Sequence, residues 1–244
     1  MAEKVTIGDC ELWHGDCREI LPTLPQFDLI LTDPPYGIGA SAGTGKYGRR
    51  KVEAGRDLAW DNETPPEWLM LLMLEKAAHL IVFGGNYFRL PPSRSYLVWD
   101  KGAGFKGRDF AECEFAWCSW DGNAKVLTRD PLANRDYEHK VHPTQKPVRV
   151  LEWAMSLAPK SDTVCDPFMG AGTTGVAAMN LGKRFVGVER ERQYFDAACE
   201  RIARAQAQGK LLPPEPQPEA VQAVLLPSNA TSSPAAKQSG GMNG

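Results

Sequence analysis

The sequence predicts an α/β domain, a mostly parallel sheet with helices on both faces. Three observations carry that prediction. Short apolar runs recur and stop at a carboxylate or a glycine: "DLILTD" (28–33), "HLIVFGG" (79–85), "DTVCD" (162–166) and "RFVGVE" (184–189). Segments of helical period separate them, as strand–crossover–strand units require. A glycine-rich turn, "GAGTTG" (170–175), joins one of the strands to the helix after it.

Taken in order, "ELWH" (11–14) reads as a short strand stopped by Gly15 and Asp16, and "CREIL" as a helical turn. Residues 28–32 form the first long apolar strand, which ends at "DPPYG". The stretch that follows, to about residue 62, is glycine-rich and basic with no hydrophobic period. Thr64-Pro65-Pro66-Glu67 matches a capping box with proline at the first helical position, and starts the helix "PPEWLMLLMLEKAA". "HLIVFGG", "SYLVWDKG" (95–102) and "CEFAWCSW" (113–120) are further strands. A helix is expected over 147–157, a strand over 162–168 and a helix from Thr173 stopped by Gly182. "RFVGVE" precedes the amphipathic helix "ERQYFDAACERIARAQA". We expect one domain over residues 1–208. From residue 209 the chain is rich in Pro, Ala, Ser and Gly with few large apolar residues, the composition of a flexible tail.

Composition excludes several classes. The chain has 244 residues, 43% hydrophobic, with a formal net charge of -2, so nucleic-acid contacts must come from local basic patches. Its six cysteines are scattered without a C-x-x-C pair, against a zinc ribbon or disulfide framework and for a reducing compartment. His139 and His142 lack a cysteine pair at zinc-finger spacing, so no metal is expected. The N-terminus lacks the apolar core of a signal peptide, and "WLMLLML" is too short to cross a bilayer. A cytoplasmic protein without membrane contact is the expectation.

Two motifs carry chemistry. "LTDPPYG" places Asp33, Pro34, Pro35 and Tyr36 at the end of a core strand, where prolines end pairing and rigidly fix the backbone. "DPFMGAGTTG" (166–175) follows another strand. Gly170 and Gly172 permit a tight turn and close approach of a ligand, or simply close strand–helix packing. Glu189 stands 19 residues beyond Gly170 at the next strand end, where an acid can accept from ribose hydroxyls. A phosphate-binding loop is excluded: "GTGKY" has Tyr47 in place of the hydroxyl residue, and "GAGTTG" has no lysine. The dinucleotide fingerprint is the rival for "GAGTTG", but a dehydrogenase has no use for Asp-Pro-Pro-Tyr at a second strand end.

Together "DPPYG", "HPTQKPV" (142–148) and "DPFMGAGTT", in that order, resemble the amino-methyltransferases of DNA, of the circularly permuted β-class. The resemblance covers roughly residues 10–205 and implies a Rossmann-like methyltransferase fold, circularly permuted, with S-adenosylmethionine as methyl donor. It also implies a restriction-modification or phage setting within a bacterial cell. By the same resemblance, Asp33 and the Pro34 carbonyl accept from the target amine, Pro35 stiffens the loop, and Tyr36 stacks on a base flipped out of double-stranded DNA. Asp166, Phe168, Gly170 and Gly172 line the cofactor and Glu189 holds its ribose. Asp16 is either a cofactor contact or the N-cap of "CREIL". Lys146 either lies near the methionine end or is a solvated lysine.

Asp33 favours N6 of adenine over N4 of cytosine, since the N4 enzymes more often have Ser there. RNA or protein-glutamine methylation, where relatives tend to carry Asn-Pro-Pro-Tyr, and a silent nucleic-acid-binding module are the alternatives. DNA contacts are expected from two loops, about 37–63 and 121–141. Lys46, Arg49, Arg50 and Lys51 give residues 37–51 a charge of +4. Residues 122–150 carry +3, from Lys125, Arg129, Arg135, Lys140, Lys146 and Arg149 against three acids. The second loop is only about twenty residues long, which fits a short target, relaxed specificity or a homodimer sharing the readout.

Overall fold

A computed structural model describes residues 2–38, 63–108, 111–138, 140–141 and 145–209. Most of the first basic loop, including Lys46, Arg49, Arg50 and Lys51, lies outside the described residues, as does the tail from residue 210.

Among the described residues nine strands form one sheet: β1 (Glu3–Ile7), β2 (Cys10–His14), β3 (Phe27–Thr32), β4 (Ala77–Phe83), β5 (Tyr96–Asp100), β6 (Cys113–Cys118), β7 (Lys125–Thr128), β8 (Thr163–Asp166) and β9 (Arg184–Glu189). Their order is β1-β2-β9-β8-β3-β4-β6-β5-β7. The run from β2 to β4 is parallel, whereas β1 and β6 are antiparallel to their neighbours. The sheet is therefore mixed rather than wholly parallel. The helices are α1 (Cys17–Ile20), α2 (Glu67–Lys76), α3 (Val148–Leu157), α4 (Thr173–Asn180) and α5 (Arg192–Gly209).

Strand β3 shows why both faces are covered. Leu29 and Leu31 point into a core shared with α3, α4 and α5, while Ile30 joins Leu69, Met70 and Met73 of α2 and Ile20 of α1. Alternate side chains of a strand face opposite ways, so a continuous apolar run needs helices on both sides.

Four sequence expectations change. Two strands, β1 and β7, were not expected; β1 pairs with β2 across the turn at Gly8, whose φ is +56°. Helix α2 begins at Glu67 with Pro66 as N-cap and no side-chain cap, so the Thr64–Glu67 box does not form. A residue preceding proline is driven out of the helical region, which keeps Pro65 extended before Pro66. The same helix ends at Lys76, and β4 begins at Ala77, two residues before the expected strand start.

Candidate active site

Strands β8 and β3 are parallel neighbours. From β8 the chain passes through α4 to β9 on one side, and from β3 through α2 to β4 on the other. Crossovers that diverge in this way leave a crevice beyond the strand ends. Asp33 directly follows β3 and Asp166 is the last residue of β8.

Asp33 keeps a quarter of its side-chain surface open. The Tyr36 hydroxyl donates to its Oδ1 at 2.5 Å, and the Lys146 ammonium is ion-paired with its Oδ2. Burial raises its pKa and outweighs the lowering by Lys146, while Glu114 raises it further. Burial and Asp33 raise the Tyr36 phenol, so Tyr36 stays a donor. The ring of Tyr36 already stacks on Tyr87, with centroids 4.7 Å apart and an interplanar angle of 11°. Tyr87 is delivered by the turn after β4, where Gly84 has a φ of +66°. Pro34 is buried, and Pro35 lines the pocket described below.

Asp166 serves a different purpose from Asp33. It is 2% exposed, and its oxygens accept from Thr32 Oγ1 (2.8 Å), Thr174 Oγ1 (2.6 Å) and the Phe168 N–H (3.0 Å). These bonds tie β3, β8 and α4 together under the crevice. Burial still pushes its pKa up to about 6.

The glycine turn divides likewise. Gly170, with φ +51°, donates its N–H to Glu189 Oε2 at 3.0 Å, and Glu191 N–H donates to Oε1 at 2.7 Å. Both oxygens of Glu189 are thus aimed by backbone, and burial pushes its pKa up to about 7. Gly172, with φ +73°, packs against α5: a Cβ there would lie 2.8 Å from Ala198 Cβ. Its small size therefore serves helix packing.

Next to these groups is a pocket of about 440 Å³, within the range of small-molecule sites. Asp16, Asp33, Pro35, Phe168, Glu189 and Tyr194 line it, together with residues 63–66 and Leu69. Asp16 satisfies one of its two readings outright: its Oδ1 caps α1 by accepting from Arg18 N–H at 2.8 Å. It faces the pocket as well, so the readings do not compete. Its pKa is lowered by the hydrogen bond from the Arg18 guanidinium. Cys17 also lines the pocket, but burial pushes its thiol up to about 12, so no thiolate is on offer.

Lys146 is only 6% exposed, which removes the reading as a solvated lysine. It sits between Asp33 and Glu114 and lines a smaller void of about 50 Å³ with Asp33, Asp166 and Thr173. Glu114, on β6, was not a candidate from the sequence. Part of the basic surplus of residues 122–150 is spent internally: Arg129 pairs with Asp136 at 2.7 Å and Lys146 is buried, while Arg149, on α3, stays largely exposed beside Glu152 at 3.1 Å. Lys140 lies 4.2 Å from the Tyr137 ring centroid, with its pKa brought down to about 8 by burial. Lys125 is exposed, and Arg135 makes an exposed contact to Glu138 at 3.5 Å. Among the described residues no cluster of three or more His, Cys, Asp or Glu could hold a metal, and no helix is long and apolar enough to cross a membrane.

The chain is similar to known proteins. Residues 96–200 match the family model described as DNA methylase, of the N6/N4 type. A protein of Escherichia coli (strain K12) that bears the name methylase YubD is 31% identical over 220 residues, 79% of this chain and 90% of that protein. The type II methyltransferase M.HinfI of Haemophilus influenzae is 28% identical over 77% of this chain and 67% of its own length. The crystal structure of the M1.HpyAVI-SAM complex covers 79% of this chain and 98% of its own, at 20% identity with a TM-score of 0.54. PvuII DNA methyltransferase, cytosine-N4-specific, covers 83% and 93% at 18% identity with a TM-score of 0.52. The two structures establish a shared Rossmann-like architecture, and with the relatives' coverage, the chain belongs to the N6/N4 DNA methyltransferase family.

Proposed function

We propose that residues 1–208 form a catalytic domain that transfers a methyl group from S-adenosylmethionine to the N6 amine of adenine in double-stranded DNA. The observation that carries this reading is the Asp33 carboxylate, anchored by Tyr36 and Lys146 on the wall of the pocket that Glu189 also lines.

The donor set fits the cofactor. Glu189 offers a carboxylate whose two oxygens are already oriented, as a ribose diol requires, and Phe168 and Tyr194 supply aromatic surface beside it. S-adenosylmethionine supplies an electrophilic methyl group on a sulfonium. An exocyclic amine is a poor nucleophile because its lone pair is delocalised into the ring. By accepting hydrogen bonds from that amine, Asp33 and the Pro34 carbonyl localise the pair on nitrogen. With the donor bound, that pair would form the new N–C bond while the S–C electrons stayed with the departing sulfur, and Asp33 or water would take the proton that nitrogen sheds. Holding the reactants in line provides several kcal/mol, so no covalent enzyme intermediate is called for. Tyr36, backed by Tyr87, offers the platform for the extruded base.

Lys46, Arg49, Arg50 and Lys51 carry the phosphate contacts in this reading, more than the second basic segment, where Arg129 and Lys146 are held in internal ion pairs. Sequencing of host DNA for modified bases after expression of the wild type and of Asp33→Ala tests the proposal. N6-methyladenine with the wild type alone is expected. N4-methylcytosine would overturn the choice of base, and unmodified DNA would overturn the activity.

A further inference from the structure

Four charged side chains from four parts of the chain, Asp33, Lys146, Glu114 and Lys101, form a line that starts at Asp33. Lys146 Nζ contacts Asp33 Oδ2 and lies 3.0 Å from Glu114 Oε2, and Lys101 Nζ lies 2.7 Å from Glu114 Oε1. Both ammonium groups are withdrawn from water: the Lys146 side chain is 5% exposed and that of Lys101 10%. Aromatic rings pack on them as well, Phe83 with its centroid 4.7 Å from Lys146 Nζ and Trp99 at 5.3 Å from Lys101 Nζ. Neither Glu114 nor Lys101 lines the large pocket. Buried ion chains of this kind are seldom better for stability than apolar residues of the same size, so stability alone does not account for one. This one ends on the proposed reactive carboxylate.

We infer that Glu114 is a positioning residue for methyl transfer: from behind, it holds the Lys146 ammonium on Asp33 and so fixes the carboxylate that receives the amine. The inference rests on the role proposed for Asp33. A carboxylate has about four acceptor sites. Tyr36 takes one on Oδ1 and Lys146 one on Oδ2, which pins the plane of the group and leaves the other sites for the substrate. Glu114 has a second effect. Nitrogen becomes positive as the methyl group arrives, and a lone ammonium beside Asp33 would oppose that charge; the Glu114 carboxylate cancels it. Burial works against ionised Glu114, but Lys146 and Lys101 outweigh it and hold its pKa down at about 2.

Other groups bear on this line. Asp166 faces Asp33 from β8, and Tyr36 from its own loop. Lys140 and Tyr137 lie near Glu114 from the segment before α3. None of them joins Asp33 to Glu114 as Lys146 does.

The experiment compares wild type, Glu114→Gln and Lys146→Met, with Asp33→Asn to assign the Asp33 carboxyl carbon signal. Titration by carbon NMR of the free protein requires neither DNA nor cofactor. The Asp33 midpoint should move down in Glu114→Gln, which loses a neighbouring negative charge, and up in Lys146→Met, which loses the counter-ion. In single-turnover methyl transfer at saturating DNA and cofactor, the acidic limb should move in those same opposite directions. The plateau rate of Glu114→Gln should fall on the order of tenfold, with both dissociation constants within about twofold of wild type. Midpoints that stay put or move together overturn the inference, including where Glu114→Gln merely lowers the melting temperature. If the midpoints diverge but the wild type transfers no methyl to DNA, the charge line stands and the functional reading falls.

Discussion

Replacing Asp33 by Ala removes the acceptor on which the proposed chemistry depends, and the surroundings determine how cleanly. Lys146 keeps Glu114 at 3.0 Å, and Tyr36 keeps its stack on Tyr87 at 4.7 Å. Breaking a buried pair outright costs about 3–5 kcal/mol. Here one counter-ion remains and an unfavourably desolvated carboxylate is removed, so the cost should be about 1–2 kcal/mol, a fall in Tm of roughly 2–8 °C. The fold should survive. Catalysis should not: a charge-assisted hydrogen bond that strengthens as the amine becomes tetrahedral and positive contributes on the order of 3 kcal/mol, about a hundredfold in rate. The loss belongs in the chemical step, not in DNA affinity. Asn at this position retains an acceptor oxygen without the charge and should fall between Asp and Ala. The assay is single-turnover transfer of labelled methyl to DNA at saturating cofactor and DNA, with circular dichroism to confirm folding. An Ala variant within about twofold of wild type would refute the mechanism.

Because burial pushes the Glu189 pKa up to about 7 from 4.5, the ionised acceptor is lost as the pH falls through 7. Calorimetry should show cofactor affinity weakening from pH 8 to 6, and Glu189→Gln should flatten that profile. Stability of the free protein should run the other way: the folded state holds this proton more tightly, so the contribution of Glu189 improves as pH falls from about 7 toward 4.5. Gly172→Ala would place a methyl group 2.8 Å from Ala198 Cβ at a φ of +73°, and thermal unfolding should show a loss of about 2–3 kcal/mol. Replacing Arg49 and Arg50 together by Ala should lower the slope of DNA affinity against salt by about one to two units, with cofactor affinity unchanged.

The sequence by itself determined the central strands, the helices after them and the order of the two motifs. Those features are local: "LILT" (29–32) is buried on both faces because Leu29, Ile30 and Leu31 are apolar and Thr32 is small, and prolines and glycines mark where it ends. Strands β1 and β7 escaped because they lie at the two edges of the sheet, half exposed, with too little apolar period to stand out. The pocket wall was legible where a residue stands in its own motif, as Asp33 and Glu189 do. The site was not legible where partners come from distant parts of the chain. Glu114 reaches the site because β6 runs antiparallel to β4, so its first residues lie at the edge where the parallel strands β3 and β4 finish. Only the tertiary structure set Lys146 between Asp33 and Glu114, and only there is Arg129 seen to spend its charge on Asp136. A count of charges along a chain cannot register pairing across space, as where Lys146 meets two acids distant in the sequence.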